Sequence, residues 1–423
     1  MSTAYTKKLH RVIPLVLGLT PVVAIPCTTI LVKQYDQQGN VVNAINVRNM
    51  DFEQQIFFNF GYGAIGQSNI SDVNFYAGLP NEKVAQWTNN HKFVGRMSFS
   101  KEVMIDGIND AGVWAGSLFL PNFTKYPSYN SNDSRAALSV MDALNFVLGT
   151  ASSVQDAVQR LQQFQLVNSA AQVTIGGITK FINEPLHLII RDKSGDGAVV
   201  EYINGKVNIT SGPDVDSVTN GPSYQWQIKN FNARAKKFKP YNTTRKWDGN
   251  YMNGSGLQGL QASYVSPERF VLSKELLNLS PKASTPNEAF TVAEGLIEKT
   301  AGNLGETPSP TLWRSMTDLK NNIYYFKGFL SFAVSGKDGM HAVLANKSGE
   351  PGTYQKISLN NLEPNNIPDD YFRVKTTRDV AYVDPASKDI SYSKGVQPGA
   401  SYNVEFLEES SFTSDLINKY LFK

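Results

Sequence analysis

Residues 27–52 have the sequence CTTILVKQYDQQGNVVNAINVRNMDF, and they include the only cysteine of the 423-residue chain. Residues 28–33 are apolar and β-branched, residues 36–40 have the composition of a turn, and residues 41–47 are again apolar. This pattern predicts a β-hairpin. Cys27 is therefore expected at the start of its first strand.

The first 26 residues have the composition of an export signal. A basic start is followed by an apolar stretch, residues 12–24, which is too short to span a bilayer as a helix. Cleavage after Ala24 would leave two residues attached, so a second cut is needed to free the amine of Cys27. We predict that residues 1–26 are a signal peptide and a short pro-segment that are removed. Residues 27–423 then form the mature protein, which is expected in the periplasm or secreted, without stable membrane insertion.

Removal of this segment changes the charge balance of the chain. Residues 1–26 contain three of the 40 Lys and Arg residues and none of the 37 Asp and Glu residues, so 37 of each sign remain. A net charge near zero without a basic run argues against nucleic acid as a partner.

The single cysteine cannot form an internal disulfide in an exported protein. It is an inert buried thiol, an intermolecular link, a lipid anchor or a reactive group. Its position just after the apolar stretch disfavours the inert thiol. Ile25 and Pro26 stand where a lipidation signal needs small residues, which disfavours the anchor.

The rest of the chain alternates between strand patterns and helix patterns, which predicts two sheets covered by helices in a single large domain. Residues 241–261 have the composition of a loop. Strands are predicted at residues 101–108, 113–120, 186–191, 198–203 and 206–210, with a late hairpin at 317–319 and 322–326. A first helix is predicted at residues 139–148, with Gly149 as its stop. A second helix is predicted to begin after a cap at Ser152 or Ser153. Two further helices are predicted at residues 267–279 and 287–300.

Several common catalytic arrangements are missing from the sequence. It has no H-E-x-x-H motif, no cysteine pair, no G-x-S-x-G before a helix and no P-loop, and its four histidines are isolated. Neither a metal nor a cofactor is expected. A free α-amino group has a pKa of about 8, so an N-terminal cysteine carries its own general base once the preceding chain is removed.

Short motifs in chain order resemble the choloylglycine hydrolase family, which includes bile salt hydrolases and penicillin V acylases. The resemblance runs through most of residues 27–330. It implies an α+β fold, the four-layer αββα sandwich of N-terminal-nucleophile hydrolases, a small-molecule amide substrate and a homo-oligomer, with tetramers common. The motifs are CTT at 27–29, VRNMDF at 47–52, GINDAGV at 107–113, VTNGP at 218–222, SPERF at 266–270, MTDLK at 316–320 and YYF at 324–326.

The resemblance also implies a role for each residue of a polar cluster. Cys27 is expected as nucleophile and general base, and Asp51 as the acceptor of a hydrogen bond from its amine. Arg48 is expected near the sulfur, where a cation favours the thiolate. Asn220 is expected to donate its side-chain amide to the oxyanion, and Arg269 to complete the cluster.

One position departs from the family pattern. Phe119 stands where bile salt hydrolases usually carry Asn and many penicillin V acylases carry Tyr. Together with Met50 and Phe52, it is expected to line an apolar acyl pocket. The sequence is more similar to the Gram-negative penicillin V acylase branch, which includes deacylases of N-acyl-homoserine lactones.

We therefore expect a hydrolase of linear amides that acts through an acyl-thioester. A bile salt hydrolase is one alternative, and a non-catalytic binding protein of the cell envelope that keeps the fold is another. A third is a cysteine enzyme that uses His91, His187 or His341. The segment after about residue 360 lies beyond the clear resemblance.

Overall fold

The computed structural model describes most of the chain between Cys27 and residue 373. The predicted leader and the last 50 residues lie outside the described part. The described residues are 27–52, 58–76, 78–98, 103–175, 178–240, 244–253, 257–302, 307, 309–328, 331–334, 340–343, 354–362 and 371–373.

The described chain forms two large sheets, and six further strand pairs lie outside them. The strands in chain order are β1 Thr28–Tyr35, β2 Val41–Asp51, β3 Phe58–Gly63, β4 Ser68–Ile70, β5 Gln86–Thr88, β6 Phe93–Ser98, β7 Val103–Asn109, β8 Val113–Phe119, β9 Ala137–Ser139, β10 Gln165–Val167, β11 Ala171–Ile175, β12 Ile178–Ile182, β13 Leu186–Asp192, β14 Gly197–Ile203, β15 Lys206–Gly212, β16 Ser217–Thr219, β17 Lys239–Pro240, β18 Thr244–Trp247, β19 Asn250–Asn253, β20 Leu257–Gln258, β21 Thr311–Asp318, β22 Ile323–Gly328, β23 Ser331–Val334, β24 Met340–Val343, β25 Gln355–Ser358 and β26 Tyr371–Arg373.

The predicted N-terminal hairpin is confirmed as β1 and β2, which pair antiparallel from Thr28 opposite Asn49 onward. Its turn is stabilised by Asp36, whose Oδ1 accepts from the backbone N–H groups of Gln38 and Asn40. Gly39 has a φ of +86°, which a residue without a Cβ adopts at little cost. The turn composition at residues 36–40 therefore marks the place where the chain reverses.

The hairpin lies in the middle of a six-stranded antiparallel sheet with the order β16-β1-β2-β21-β22-β25. An eight-stranded sheet has the order β15-β14-β13-β8-β7-β6-β3-β26, with only the last pair parallel. In both sheets, strands from the early part of the described chain pair with strands from the late part.

Three apolar clusters separate four layers, which confirms the predicted αββα sandwich. The first cluster contains residues of both sheets, such as Leu31 and Ile189, and fills the space between them. The second lies between the eight-stranded sheet and the first two helices, and the third between the six-stranded sheet and the last helix. Both faces of the inner strands are covered, so polar side chains on them, such as those of Arg48 and Asp106, are buried as well.

Five α-helices are present in the described residues. The cap predicted at Ser152 or Ser153 is confirmed at Ser153, whose side chain accepts from Asp156 N. The helices are α1 Ala143–Thr150, α2 Val154–Leu161, α3 Tyr224–Ala235, α4 Ser266–Leu279 and α5 Pro286–Glu298. None of them is long and apolar enough to cross a membrane.

Two predictions about local structure were wrong. The helix predicted at residues 139–148 begins only at Ala143, since Ser139 belongs to β9, and it continues through Gly149. Gly149 is there for packing, because a Cβ would come within 2.2 Å of Asn89 Oδ1. The loop predicted at residues 241–261 contains a β-hairpin. Its Asp248-Gly249 turn has positive φ at both residues, which favours tight hairpins.

Candidate active site

Cys27 lies immediately before β1 and is 2% exposed. Thr28 pairs with Asn49 on one side and with Thr219 on the other. If the register is continued by one residue beyond Thr28, Cys27 lies between Met50 of β2 and Asn220, which follows β16. The position expected from the sequence, at the start of the first strand, is confirmed, and the register shows that this strand is an inner one.

Asn220 and Arg269 hold the backbone of Cys27. The Cys27 N–H donates to Asn220 Oδ1 at 2.6 Å. Arg269 Nη2 donates to the same oxygen at 2.8 Å, and Arg269 Nη1 donates to the Cys27 carbonyl at 2.6 Å and to the hydroxyl of Thr28. The Asn220 amide nitrogen donates to the carbonyl of Phe119 at 2.7 Å. The hydrogen bond from Cys27 N thus goes to Asn220 while Cys27 is still joined to residue 26.

Asp51 lies at the end of β2, where the pairing with β21 shifts register. Its Oδ1 accepts from the hydroxyl of Thr311, whereas its Oδ2 is buried without a partner among the described residues. Burial raises the pKa of Asp51 to about 7, although Arg269 and Thr311 act in the opposite direction. An acceptor with a free oxygen therefore lies beside the cysteine, whose thiol is 3.8 Å from the Asp51 carbonyl.

Arg48 projects between the two sheets and is fully buried. Its guanidinium donates to the carbonyls of Ile105 at 2.9 Å and Ser117 at 2.7 Å, and it lies 3.5 Å from Asp106. It therefore bridges the six-stranded and eight-stranded sheets close to the predicted nucleophile.

Burial raises the pKa of the Cys27 thiol in the uncleaved chain. The charges of Arg48 and Arg269 act in the opposite direction, as the sequence predicts for Arg48, but they do not outweigh burial. The thiol touches Met50 Sδ at 3.7 Å, and Met50 Sδ lies 3.4 Å from Arg48. A protonated thiol is consistent with a cysteine that is latent before processing.

The three residues predicted to line an acyl pocket lie at the apolar cluster that includes Cys27. Met50 is part of that cluster, and Phe52 and Phe119 are half-buried against it. Phe119 ends β8, and its carbonyl rather than its ring contacts Asn220. The Phe119 ring, which departs from the family pattern, therefore contributes to the apolar surface, while the hydrogen bond of its carbonyl with Asn220 does not depend on the side chain.

Three further residues support the cluster and were not singled out from the sequence. Thr311 binds Asp51, Asp106 lies beside Arg48, and Gln227 donates to the carbonyls of Asn220 at 3.3 Å and Gly221 at 3.2 Å. Thr311 and Asp106 lie far from their partners in the chain, so no local pattern connects them, whereas Gln227 lies six and seven residues after its partners, on helix α3, which the sequence did not predict. Asp106 does directly precede the GINDAGV motif.

The described hydrogen bonds of the Cys27 thiol go to Met50 and Asp51, and none goes to a histidine. His91 contacts Asp110 at 2.7 Å and Ser152 at 3.2 Å. His187 is buried 3.8 Å from Glu201. His341 belongs to β24. These contacts give no support to a histidine-assisted thiol.

Two stacked sheets between helical layers, with a buried cysteine at the start of an inner strand, define a protein with the N-terminal-nucleophile hydrolase fold. The family model of linear amide C–N hydrolases, choloylglycine hydrolase family, matches residues 27–349. The chain belongs to this family.

The relatives found by comparison agree with this assignment. The chain is 28% identical over 276 residues to penicillin V acylase of Pectobacterium atrosepticum. That match covers 58% of this chain and 65% of the relative, so it spans just under two thirds of the relative's length.

Solved structures show the same fold. Penicillin V acylase from Agrobacterium tumefaciens matches with a TM-score of 0.59 and 22% identity, over 79% of this chain and 87% of that one. A mutant of conjugated bile acid hydrolase from Clostridium perfringens matches with a TM-score of 0.61 and 19% identity, over 84% of this chain and 98% of that one.

Proposed function

We propose that this protein hydrolyses a linear amide C–N bond with Cys27 as its N-terminal nucleophile. The observation that carries the proposal is that both backbone ends of Cys27 are held by hydrogen bonds. Its nitrogen is bound by Asn220 at 2.6 Å and its carbonyl by Arg269 at 2.6 Å, and nearby Asp51 has a buried carboxylate oxygen without a partner among the described residues. A residue held at both backbone ends has the fixed geometry that nucleophilic catalysis needs.

Removal of residues 1–26 converts the amide nitrogen of Cys27 into an amine. In its neutral form this amine takes the thiol proton, and the sulfur attacks the substrate carbonyl carbon. The C–N bond then breaks as the ammonium group returns the proton to the leaving nitrogen, which leaves an acyl-thioester on Cys27. Water, activated by the same amine, hydrolyses the thioester and restores the thiol.

Asp51 and Asn220 are suited to the two charges that develop in this reaction. Asp51 Oδ2 is the free acceptor that a new ammonium group at Cys27 requires. Asn220 Nδ2 carries two hydrogens, and the described contacts use one of them on Phe119. The second hydrogen is available to an oxyanion, a contact typically worth about 3 kcal/mol in the transition state.

We propose an acyl amide of the penicillin V or N-acyl-homoserine lactone type as substrate. The 28% identical relative is named penicillin V acylase, and the apolar residues beside Cys27 suit an acyl group. A conjugated bile acid is the second candidate, because a bile acid hydrolase shares the fold. Phe119 makes that candidate weaker, because the resemblance places Asn there in bile salt hydrolases.

The composition of residues 1–26 supports a proposal about where the protein works. We propose export to the periplasm or beyond, with release of residues 1–26 as the activating step. The competing proposal is a non-catalytic envelope protein that keeps Ile25 and Pro26 and so never exposes the amine.

The test is the release of the amine product from each substrate class by the purified, processed protein. The panel contains penicillin V, an N-acyl-homoserine lactone and a taurine-conjugated bile acid. Cys27→Ala should abolish all release, and Thr291→Ala, an exposed change on α5, should leave it unchanged. Processed wild-type protein that releases no amine from any of the three would contradict the proposed substrates, and a chain that keeps Ile25 and Pro26 and is inactive would support the non-catalytic alternative.

A further inference from the structure

The edge of the eight-stranded sheet is formed by β15, whose sequence is KVNITSG. It is the longest of the four outer strands of the two described sheets: β15 has seven residues, β25 has four, and β16 and β26 have three each. It contains no proline, and its first three residues are exposed. An edge strand of this kind presents backbone groups that no other described strand pairs with, and a partner can bind them.

The backbone groups that point outward follow from the hairpin that β15 forms with β14. Ile203 and Lys206 flank the two-residue turn Asn204-Gly205, which has positive φ at both positions. In such a hairpin the flanking pair is hydrogen-bonded, and hydrogen-bonded pairs alternate along the strands. The N–H and C=O groups of residues 207, 209 and 211 therefore face away from β14.

We propose that β15 pairs antiparallel with β15 of a second copy of this chain, with the two-fold axis at Ile209. Ile209 is the middle residue of the strand, so this register overlaps all seven residues. It places Ile209 opposite the partner's Ile209 and Val207 opposite the partner's Ser211. All of these residues have outward-facing backbone groups, so the register gives six N–H···O bonds between the copies.

The side chains are compatible with the same register. Residues 207, 209 and 211 lie on the helix-covered face, because Val207 is paired with Tyr202 and Ile209 with Val200 of the second apolar cluster. The pair of Ile209 side chains therefore continues that apolar layer across the axis. Lys206 lies opposite the partner's Gly212, so the lysines at the strand ends do not face each other.

A groove of about 520 Å³ runs beside this edge and adds area to the contact. Strand pairing alone buries less than the roughly 800 Å² per partner of a standard interface, so flanking surface is needed. Val207 and Ile209 line the groove together with Leu161 and Phe164. Val207 is 37% exposed in the single chain, and pairing would cover it.

The test measures assembly, so it is independent of the proposed amidase activity. In Ile209→Cys, the two Cα atoms across the axis would be about 5.5 Å apart, within the range that a disulfide spans. Mild oxidation should give a disulfide-linked dimer, and mass mapping should assign the link to position 209 on both chains. Thr291→Cys, an exposed position on α5, is the matched control and should stay largely unlinked.

A charge at the axis gives a second readout. Ile209→Lys or Val207→Lys should weaken dimerisation at least about tenfold in light scattering, because like charges would lie close to the axis. Leu279→Lys, at an exposed position at the end of α4, should leave the assembly unchanged. A monomeric wild type at tens of micromolar, or a cross-link at 209 no stronger than at 291, would overturn the proposal. An assembly of unchanged size in both lysine variants would also overturn it, because the contacts that hold the copies together would then lie elsewhere.

Discussion

Arg269 donates from Nη2 to Asn220 Oδ1 at 2.8 Å, and the same oxygen accepts from Cys27 N at 2.6 Å. These two donors occupy the oxygen side of the Asn220 amide, so its nitrogen faces the Phe119 carbonyl and the space beside Cys27. A buried cation on α4 thus determines which end of the Asn220 amide is available to a substrate. Arg269 therefore orients the Asn220 amide in addition to placing a positive charge near the thiol.

Arg269→Lys should lower kcat by about 100-fold. A lysine has one ammonium group and cannot donate in parallel to the Cys27 carbonyl and Asn220 Oδ1, and hydrogen bonds to charged groups contribute about 1.5–3 kcal/mol each. The measurement is steady-state kinetics on the processed enzyme, with Arg160→Lys on α2 as the control. A lysine variant with near-wild-type kcat would show that the two parallel hydrogen bonds from the planar guanidinium of Arg269 are not needed.

The stability of the uncleaved chain should depend on Asp51 and on pH. Burial raises the pKa of Asp51 to about 7, well above its unfolded value near 3.9, so between these values the folded state binds more protons than the unfolded state. The Asp51 contribution to stability is therefore full below about pH 4 and is lost as the pH rises to about 7.

The measurement is urea unfolding of Cys27→Ala, which is expected to retain Ile25 and Pro26 before position 27, between pH 4 and 8. Addition of Asp51→Asn should flatten this part of the profile by an amount on the order of a few kcal/mol. Asp133→Asn, at a carboxylate whose pKa lies low at about 2 through its hydrogen bond with Arg135, should leave the profile above pH 4 unchanged. Equal slopes with and without Asp51 would contradict a buried, protonated carboxyl at that position.

Gln227 should act as a positioning residue for Asn220. It is 1% exposed, and its Nε2 lies 3.3 Å from the Asn220 carbonyl and 3.2 Å from that of Gly221. Gln227→Met keeps a similar volume but removes the donor, so kcat should fall about tenfold with KM nearly constant.

Gln225→Met is the matched control, because Gln225 lies on the same helix and its exposed amide contacts only the Thr210 hydroxyl in the described structure. The affinity of a peptide-aldehyde type inhibitor, whose hemithioacetal carries an oxyanion, should fall in parallel with kcat in Gln227→Met. A loss of thermal stability without any change in kcat would assign Gln227 a purely structural role.

The sequence predicts the parts of this fold that depend on local patterns. The hairpin around Cys27 has a clear turn and two apolar strands, and the cap of α2 is a serine three residues before an Asp. Helix α3 was missed, because only Tyr224, Gln227 and Phe231 of its twelve residues are buried, and one of these three is polar. Its apolar stripe is too narrow to be recognised from periodicity.

The site shows the same division between local and long-range information. Cys27, Arg48 and Asp51 lie within one hairpin, so their proximity follows from strand pairing. Asp51 and Thr311 are 260 residues apart and meet only because β21 pairs with β2. The raised thiol pKa could not be predicted either, because it depends on how completely both sheets exclude water from Cys27.

The central claim is that Cys27 becomes the first residue of the active protein. Intact mass and N-terminal sequencing of wild type and Cys27→Ala, both recovered from the periplasm, test it most directly. The account predicts a wild-type chain that begins at Cys27 and a mutant that retains Ile25 and Pro26. A wild-type chain that begins at Ile25, or one that is lipidated at Cys27, would contradict it by removing the proposed base.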